Sequence, residues 1–206
     1  MEIEFVFIIL VLVFSVVAHE LAHGVTADAL GDPTARLAGR LTLNPIKHLD
    51  LVGSFIVPVL MYFLPGGVMF GWAKPVPYNS YNLRRGRLGE ALVAGAGPLT
   101  NIGLALIFGF LVRAGLSSGF SPAFIEIAGY VVLVNLVLAI FNLIPIPPLD
   151  GSKILFSILP PRFANWRYAL EQYGFIFVLI FVFFFIQVLF PVIGLAFSLL
   201  TGIGFS

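Results

Sequence analysis

The stretch Val16-Val17-Ala18-His19-Glu20-Leu21-Ala22-His23-Gly24 ends the first apolar run of the chain and sets three ionisable groups inside a segment long enough to cross a bilayer. At 1.5 Å per residue, residues 3–24 match a hydrocarbon core of roughly 30 Å. Each ionisable side chain at a helix centre costs about 2.5–3.5 kcal/mol on insertion scales, so three together predict a working site. Positions i and i+4 share one helix face, which lets His19 and His23 grip one zinc ion while the Glu20 carboxylate reaches a metal-bound water. The competing reading is a helix end emerging among headgroups, where His and Glu cost little; it leaves their spacing unexplained.

Composition sets the class. Of 206 residues, 60% are hydrophobic and 10% charged, with 22 Phe and a mean hydropathy of +1.06. These values predict an all-α polytopic membrane protein forming a single domain over residues 1–206, with no polar stretch large enough for a separate soluble module. A net charge of +1 argues against nucleic acid as a partner. Cysteine is absent, so a metal has to be held by His and carboxylate. Glu2 and Glu4 stand where a signal peptide carries positive charge, so the first segment is expected to be retained.

Hydrophobic runs predict a bundle of about five to six transmembrane segments. The metal-motif helix covers residues 3–24, core spans cover 88–112 and 122–159, and one long or two short spans cover 173–205. Residues 51–70 are apolar but carry Gly53, Pro58, Pro65, Gly66 and Gly67, so the region 25–87 between the first two core spans reads as re-entrant or interfacial, with short β-strands allowed for. Trp72, Tyr78, Tyr81, Trp166, Tyr168 and Tyr173 lie near basic residues at segment edges, as an aromatic belt does. Gln187, isolated among aromatics and aliphatics, is expected at a helix–helix contact.

A zinc site built on two His needs a third protein ligand and an open position. Asp150, beyond Pro145, Pro147 and Pro148, is the carboxylate to expect, presented from a proline-fixed turn. The alternative makes Asp150 the N-cap of a following short helix. For Asp150 to meet His19 and His23, the ends of the first and fourth hydrophobic segments must face one side, which requires 51–70 to enter and leave on one face. Ten of the eleven Lys and Arg then share a side, with Arg113 alone opposite. The positive-inside rule makes that side cytoplasmic and places the N-terminus outside.

With these residues in place, the chain resembles the site-2 proteases, zinc metalloproteases that cut within membranes. His19 to Gly24 is similar to the family's zinc helix, and Leu149-Asp150-Gly151 preceded by Asn142 to its second signature. Ala96-Gly97-Pro98-Leu99-Thr100-Asn101 looks like a third signature. Asn44-Pro45-Ile46-Lys47-His48 and Phe70-Gly71-Trp72-Ala73-Lys74-Pro75-Val76-Pro77 look like the compact prokaryotic branch without a PDZ domain. The resemblance implies an intramembrane endopeptidase of a prokaryotic cytoplasmic membrane acting on membrane-spanning protein substrates. One Zn2+ per chain would be bound by His19, His23 and Asp150, with Glu20 as general base.

Asn142 reads either as a donor to the substrate backbone or developing oxyanion or as an interhelical hydrogen bonder, with Asn135 as its partner. A transmembrane substrate must be unwound before attack, and the segment from Gly71 through Trp72, Ala73 and Lys74 to Val76 offers an edge for an extended substrate. The alternative there is an interfacial loop anchored by Trp72 and Lys74. Asn101 and its neighbouring glycines read as packing features, and His48 as an interfacial histidine. Two other functions also fit buried His, Glu and Asp: a transporter or ion relay, and a zinc-dependent membrane hydrolase of non-protein substrates.

Overall fold

The computed structural model describes residues 2–57 and 73–205. Seven α-helices are described: α1 Glu2–Ala29, α2 Thr34–Leu37, α3 Arg87–Ser118, α4 Pro122–Asn142, α5 Asp150–Ile158, α6 Ala164–Ile180 and α7 Leu189–Thr201. Among the described residues there is no strand, and four helical runs are long and apolar enough to cross a membrane: Glu4–Ala29, Arg87–Ser118, Pro122–Asn142 and Asn165–Thr201. The chain is an all-α polytopic membrane protein. The C-terminal region is one helical run, Asn165–Thr201, broken by a π turn and a 3₁₀ turn over 181–188. Residues 58–70 of the expected re-entrant segment lie outside the described residues.

Helix α3 is the hub, because it carries small or polar residues along one ridge. Val93, Gly97, Asn101, Ala105 and Gly109 recur every fourth position and are all buried. Such a ridge lets neighbouring helices approach closely where lipid supplies no hydrophobic drive between them. Helices α1, α4, α5 and α7 all pack on α3. At Gly109 a Cβ would lie 2.9 Å from the Leu200 Cβ, so α7 sits against main chain there. The exposed faces carry Phe5, Ile9, Leu106, Phe110 and Leu195, which in a bilayer meet lipid.

Helix α1 ends at a turn through Gly31, whose φ of +105° suits glycine. The chain then makes α2 and a 3₁₀ turn at Pro45–His48, and returns to where it left, since Arg84 N–H donates to Leu30 O at 2.8 Å. Residues 31–83 therefore depart and return at one end of α1, as a re-entrant element must. Asp32 closes this loop. It is fully buried, and its carboxylate accepts from Thr34 Oγ1 at 2.5 Å, Asn82 Nδ2 at 2.9 Å and the main-chain N–H of Asn79 at 2.6 Å and Thr34 at 3.3 Å.

At the opposite end, Arg113 Nε and Nη2 donate to the carbonyls of Leu200 and Leu199 at 2.9 and 2.5 Å, capping α7. Arg113 is thus spent on a helix C-terminus, where cations are favoured. Several boundaries differ from the sequence reading. Helix α1 runs on through Ala29, and α3 extends to Ser118 through an internal Pro98. Gln187 is exposed, on the 3₁₀ turn Ile186–Val188.

Burial alone would raise the Asp32 carboxyl. The hydrogen bonds from the Thr34 side chain, Asn82, and the Asn79 and Thr34 amides outweigh it and hold the group below the ordinary carboxylate value. A carboxyl lowered on folding stabilises fully above its unfolded pKa of about 4, and that contribution is lost as pH falls through the folded value. Asp32→Ala is expected to cost roughly 2–4 kcal/mol at pH 7, since buried donors are left unsatisfied. Thermal unfolding in detergent should show the gap between wild type and variant narrowing as pH drops below about 4.

Candidate metal centre

Three elements bring the expected ligands together. His19 and His23 lie one turn apart on α1, with ring centroids 4.7 Å apart and planes nearly perpendicular at 84°. Asp150 is the first residue of α5. The helix begins one position earlier than a turn-presented carboxylate would require, and Asp150 makes no N-cap bond. Gly151 explains how α5 reaches the site: its Cα meets the Leu143 and Ile144 carbonyls at the end of α4 so closely that any side chain would collide. Asp150 Oδ2 lies 3.1 Å from both His19 Nε2 and His23 Nε2, and all three residues are buried.

The protonation of both rings follows from their outer partners. His23 Nδ1 donates to the Val93 carbonyl at 2.7 Å, an oxygen that can only accept. His19 Nδ1 lies 2.5 Å from Asn101 Oδ1. The Asn101 amide is oriented by its own Nδ2, which donates to Ser15 O at 3.3 Å and Asn135 Oδ1 at 2.7 Å. Asn135 in turn donates to Val131 O at 2.8 Å and Ser15 Oγ at 2.9 Å. Main-chain carbonyls of Ser15 and Val131 therefore fix both amides, and Nδ1 of His19 has to carry its proton. Both Nε2 atoms are left as lone pairs.

With both imidazoles neutral, each Nε2 lone pair lies 3.1 Å from Asp150 Oδ2, and these atoms repel unless a cation sits among them. The donor set of two imidazoles and a carboxylate suits zinc, whose tetrahedral N and O ligands at roughly 2.0–2.2 Å stand about 3.3 Å apart. Gly97 leaves the room. A Cβ on Gly97 would fall 2.5 Å from each Nε2, in the space a shared ion needs. Among the described residues, His19, His23 and Asp150 are the group with this property.

The second carboxylate oxygen of Asp150 has its own partner. Lys153 Nζ donates to Oδ1 at 3.4 Å and lies over the Tyr78 ring, 5.5 Å from its centroid. Glu20, half-buried beside the centre, accepts the Val76 main-chain N–H on Oε2 at 2.8 Å.

Other expected residues fall differently. Asn142 is half-buried and its amide donates to Leu138 O at 2.9 Å, within its own helix; Asn135 pairs with Asn101 and Ser15, not with Asn142. Ala73 and Lys74 lie in irregular backbone, with Lys74 N–H donating to His48 O at 2.9 Å. Gly71 and Trp72 are outside the described residues. His48 is buried, donates from Nε2 to Thr42 O at 2.9 Å and does not join the metal group.

Asn101, Gly97 and Lys153 are the residues the sequence reading undervalued. Asn101 and Gly97 are more than packing features, since one bonds a ligand ring and the other holds the ion's space open. Their spacing to one another on α3 was visible in the sequence, but their facing His19 was not.

The family model described as Peptidase family M50 matches residues 116–185. "Putative zinc metalloprotease YwhC" of Bacillus subtilis is 39% identical over 85% of this chain and 80% of its own length. "Putative zinc metalloprotease Rip2" of Mycolicibacterium smegmatis is 33% identical over 85% of this chain and 66% of its own. A protein of Methanocaldococcus jannaschii, also named as a putative zinc metalloprotease, is 35% identical over 72% of each chain. No solved structure matches.

Two substitutions test the centre. Gly97→Ala should reduce bound zinc to near zero by placing a methyl where the ion would sit. Asn101→Ala should weaken zinc binding about 10- to 100-fold, as loss of an outer partner does. Metal content after dialysis against graded zinc buffers reads both.

Proposed function

The chain belongs to peptidase family M50, and on that premise we propose that it is an intramembrane zinc-dependent endopeptidase that cleaves transmembrane segments of membrane proteins. The observation that carries the reading is the convergence of His19 Nε2, His23 Nε2 and Asp150 Oδ2 on one point, with Glu20 one residue from His19. In this reading His19, His23 and Asp150 hold one zinc ion per chain. When bound, zinc supplies Lewis-acid polarisation of the scissile carbonyl and lowers the pKa of water to near neutrality.

The remaining work belongs to side chains. Glu20 takes the proton of the attacking water and returns it to the leaving amine nitrogen, general acid–base transfer that contributes about 10²- to 10⁴-fold. The Val93 carbonyl and Asn101 keep the two imidazoles in the tautomer that leaves Nε2 free. Lys153 holds Asp150 through Oδ1, which keeps Oδ2 turned toward the His pair. Asn142, at the end of α4, is the proposed donor to the substrate backbone or oxyanion, and it would release Leu138 O to serve. Gly71, Trp72, Ala73 and Lys74 are the proposed contact for an extended substrate.

The distribution of basic residues supports a cytoplasmic approach to the site and an outside N-terminus, in a prokaryotic cytoplasmic membrane. Ten of the eleven Lys and Arg lie on the side of the loop that returns to α1, and Arg113 is occupied as a helix cap.

The decisive variant is Glu20→Gln. Zinc content should stay near wild type, because Glu20 is not a ligand, while cleavage of a co-reconstituted single-span reporter should fall at least 100-fold. Retained cleavage by this variant, or a wild type that cuts equally well after zinc is stripped, would overturn the protease reading.

A further inference from the structure

We infer that Pro75-Val76-Pro77 is a strap that positions the Glu20 carboxylate for proton transfer, and that Arg40 holds the strap in place. This rests on the role given to Glu20 above.

Proline carries no N–H, so across residues 75–77 the Val76 amide is the sole main-chain donor. That one donor goes to Glu20 Oε2 at 2.8 Å. A carboxylate on a two-carbon stem has several rotamers, and a general base has to sit within a fraction of an ångström of the proton it removes. The bond from Val76 selects one rotamer and occupies Oε2, which leaves Oε1 as the proton acceptor. Two fixed proline φ angles stiffen the segment that delivers the bond.

The strap is anchored from three directions. Arg40, buried at 8% exposure, donates from Nη2 to Lys74 O at 2.7 Å and to Pro75 O at 3.4 Å. Lys74 N–H donates to His48 O at 2.9 Å. The Val76 side chain is buried against Gly24, where a Cβ would lie 2.8 Å from Val76 Cγ1 and 2.6 Å from Leu41 Cδ2. Gly24 follows His23 directly, so the zinc-motif helix presents bare main chain where the strap crosses it.

Burying a guanidinium to hold two carbonyls of an irregular segment is costly unless that segment's position matters. The N–H groups of residues 74 and 76 both go to the enzyme's own groups, the His48 carbonyl and the Glu20 carboxylate. The strap from Pro75 onward is therefore a positioning element, distinct from the substrate contact proposed for residues 71–74 leading into it.

Two readouts test the inference, both on the full chain in proteoliposomes. In the first, Val76→Pro removes the amide and Arg40→Ala removes the anchor. Both should lower kcat on the single-span reporter by about 10- to 100-fold, as loss of a hydrogen bond to a charged group does. KM should stay within about twofold and zinc content should be unchanged. Arg40→Lys should recover much of the loss, and it guards against Val76→Pro failing to fold. In the second, amide hydrogen exchange reads the strap without any activity: the three residues 75–77 carry one exchangeable amide, protected in the wild type and deprotected in both Glu20→Ala and Arg40→Ala. The inference is overturned by an unchanged kcat, by a raised KM at constant kcat, by zinc lost along with kcat, or by protection that survives Glu20→Ala. A wild type that does not cleave counts against the protease reading alone, and exchange still decides whether the strap holds Glu20.

Discussion

Three lone pairs aimed at one point inside a membrane protein are the constraint around which the rest of this molecule is arranged. His19 Nε2 and His23 Nε2 each stand 3.1 Å from Asp150 Oδ2, and the Nδ1 partners of the two rings leave both Nε2 atoms as metal donors when the imidazoles are neutral. Such a cluster is suited to a cation at its centre. The packing is consistent with that use. Helix α3 must approach α1 through Gly97 to leave space for the ion, and α5 must reach the end of α4 through Gly151 to deliver Asp150. The small residues on these helices are therefore placed by the site as much as by helix packing.

The polar atoms behind the ligands form a closed system. Asn101 is fully buried between α1 and α4, and its four-atom amide meets His19, Ser15 O and Asn135. Asn135, also fully buried, ends the chain of bonds on Ser15 Oγ and Val131 O. Without water to accept a stray donor, a partly satisfied network at this depth would cost more than an apolar one. Full satisfaction also transmits information, because fixed carbonyls at the far end decide the tautomer of a ring at the near end.

How much of this was legible in the sequence depends on how local each signal is. His19, Glu20 and His23 lie within one and a half turns of a helix, so their shared face follows from the helical period alone. Asp150 was legible because a two-His zinc site without cysteine demands a carboxylate, and because the span count left few places to find one. Its exact setting was not: the prolines before it suggested a turn, yet α5 starts at Asp150 itself. Asn101 was read as packing because nothing in a linear chain says that it faces a histidine 82 positions earlier. The bond from Val76 to Glu20 joins residues 56 apart and involves a main-chain atom, which leaves no mark on residue choice except the two flanking prolines.

The non-helical backbone gives the last step. Irregular main chain at membrane depth is tolerated where it is buried in protein or lines a polar cavity. The two irregular stretches described near the site, 143–149 and 73–79, both serve it: the first hands over Asp150, and the second hands the Val76 amide to Glu20. Each is packed against a glycine: the Pro147 main chain sits on Gly174, and the Val76 side chain sits on Gly24. Away from the site, Arg113 and Arg87 satisfy helix ends instead, on the carbonyls of Leu199 and Leu200 and of Phe156 and Leu159. The chain thus departs from regular helix where a reactive group has to be aimed, and caps its helices with arginine where none does.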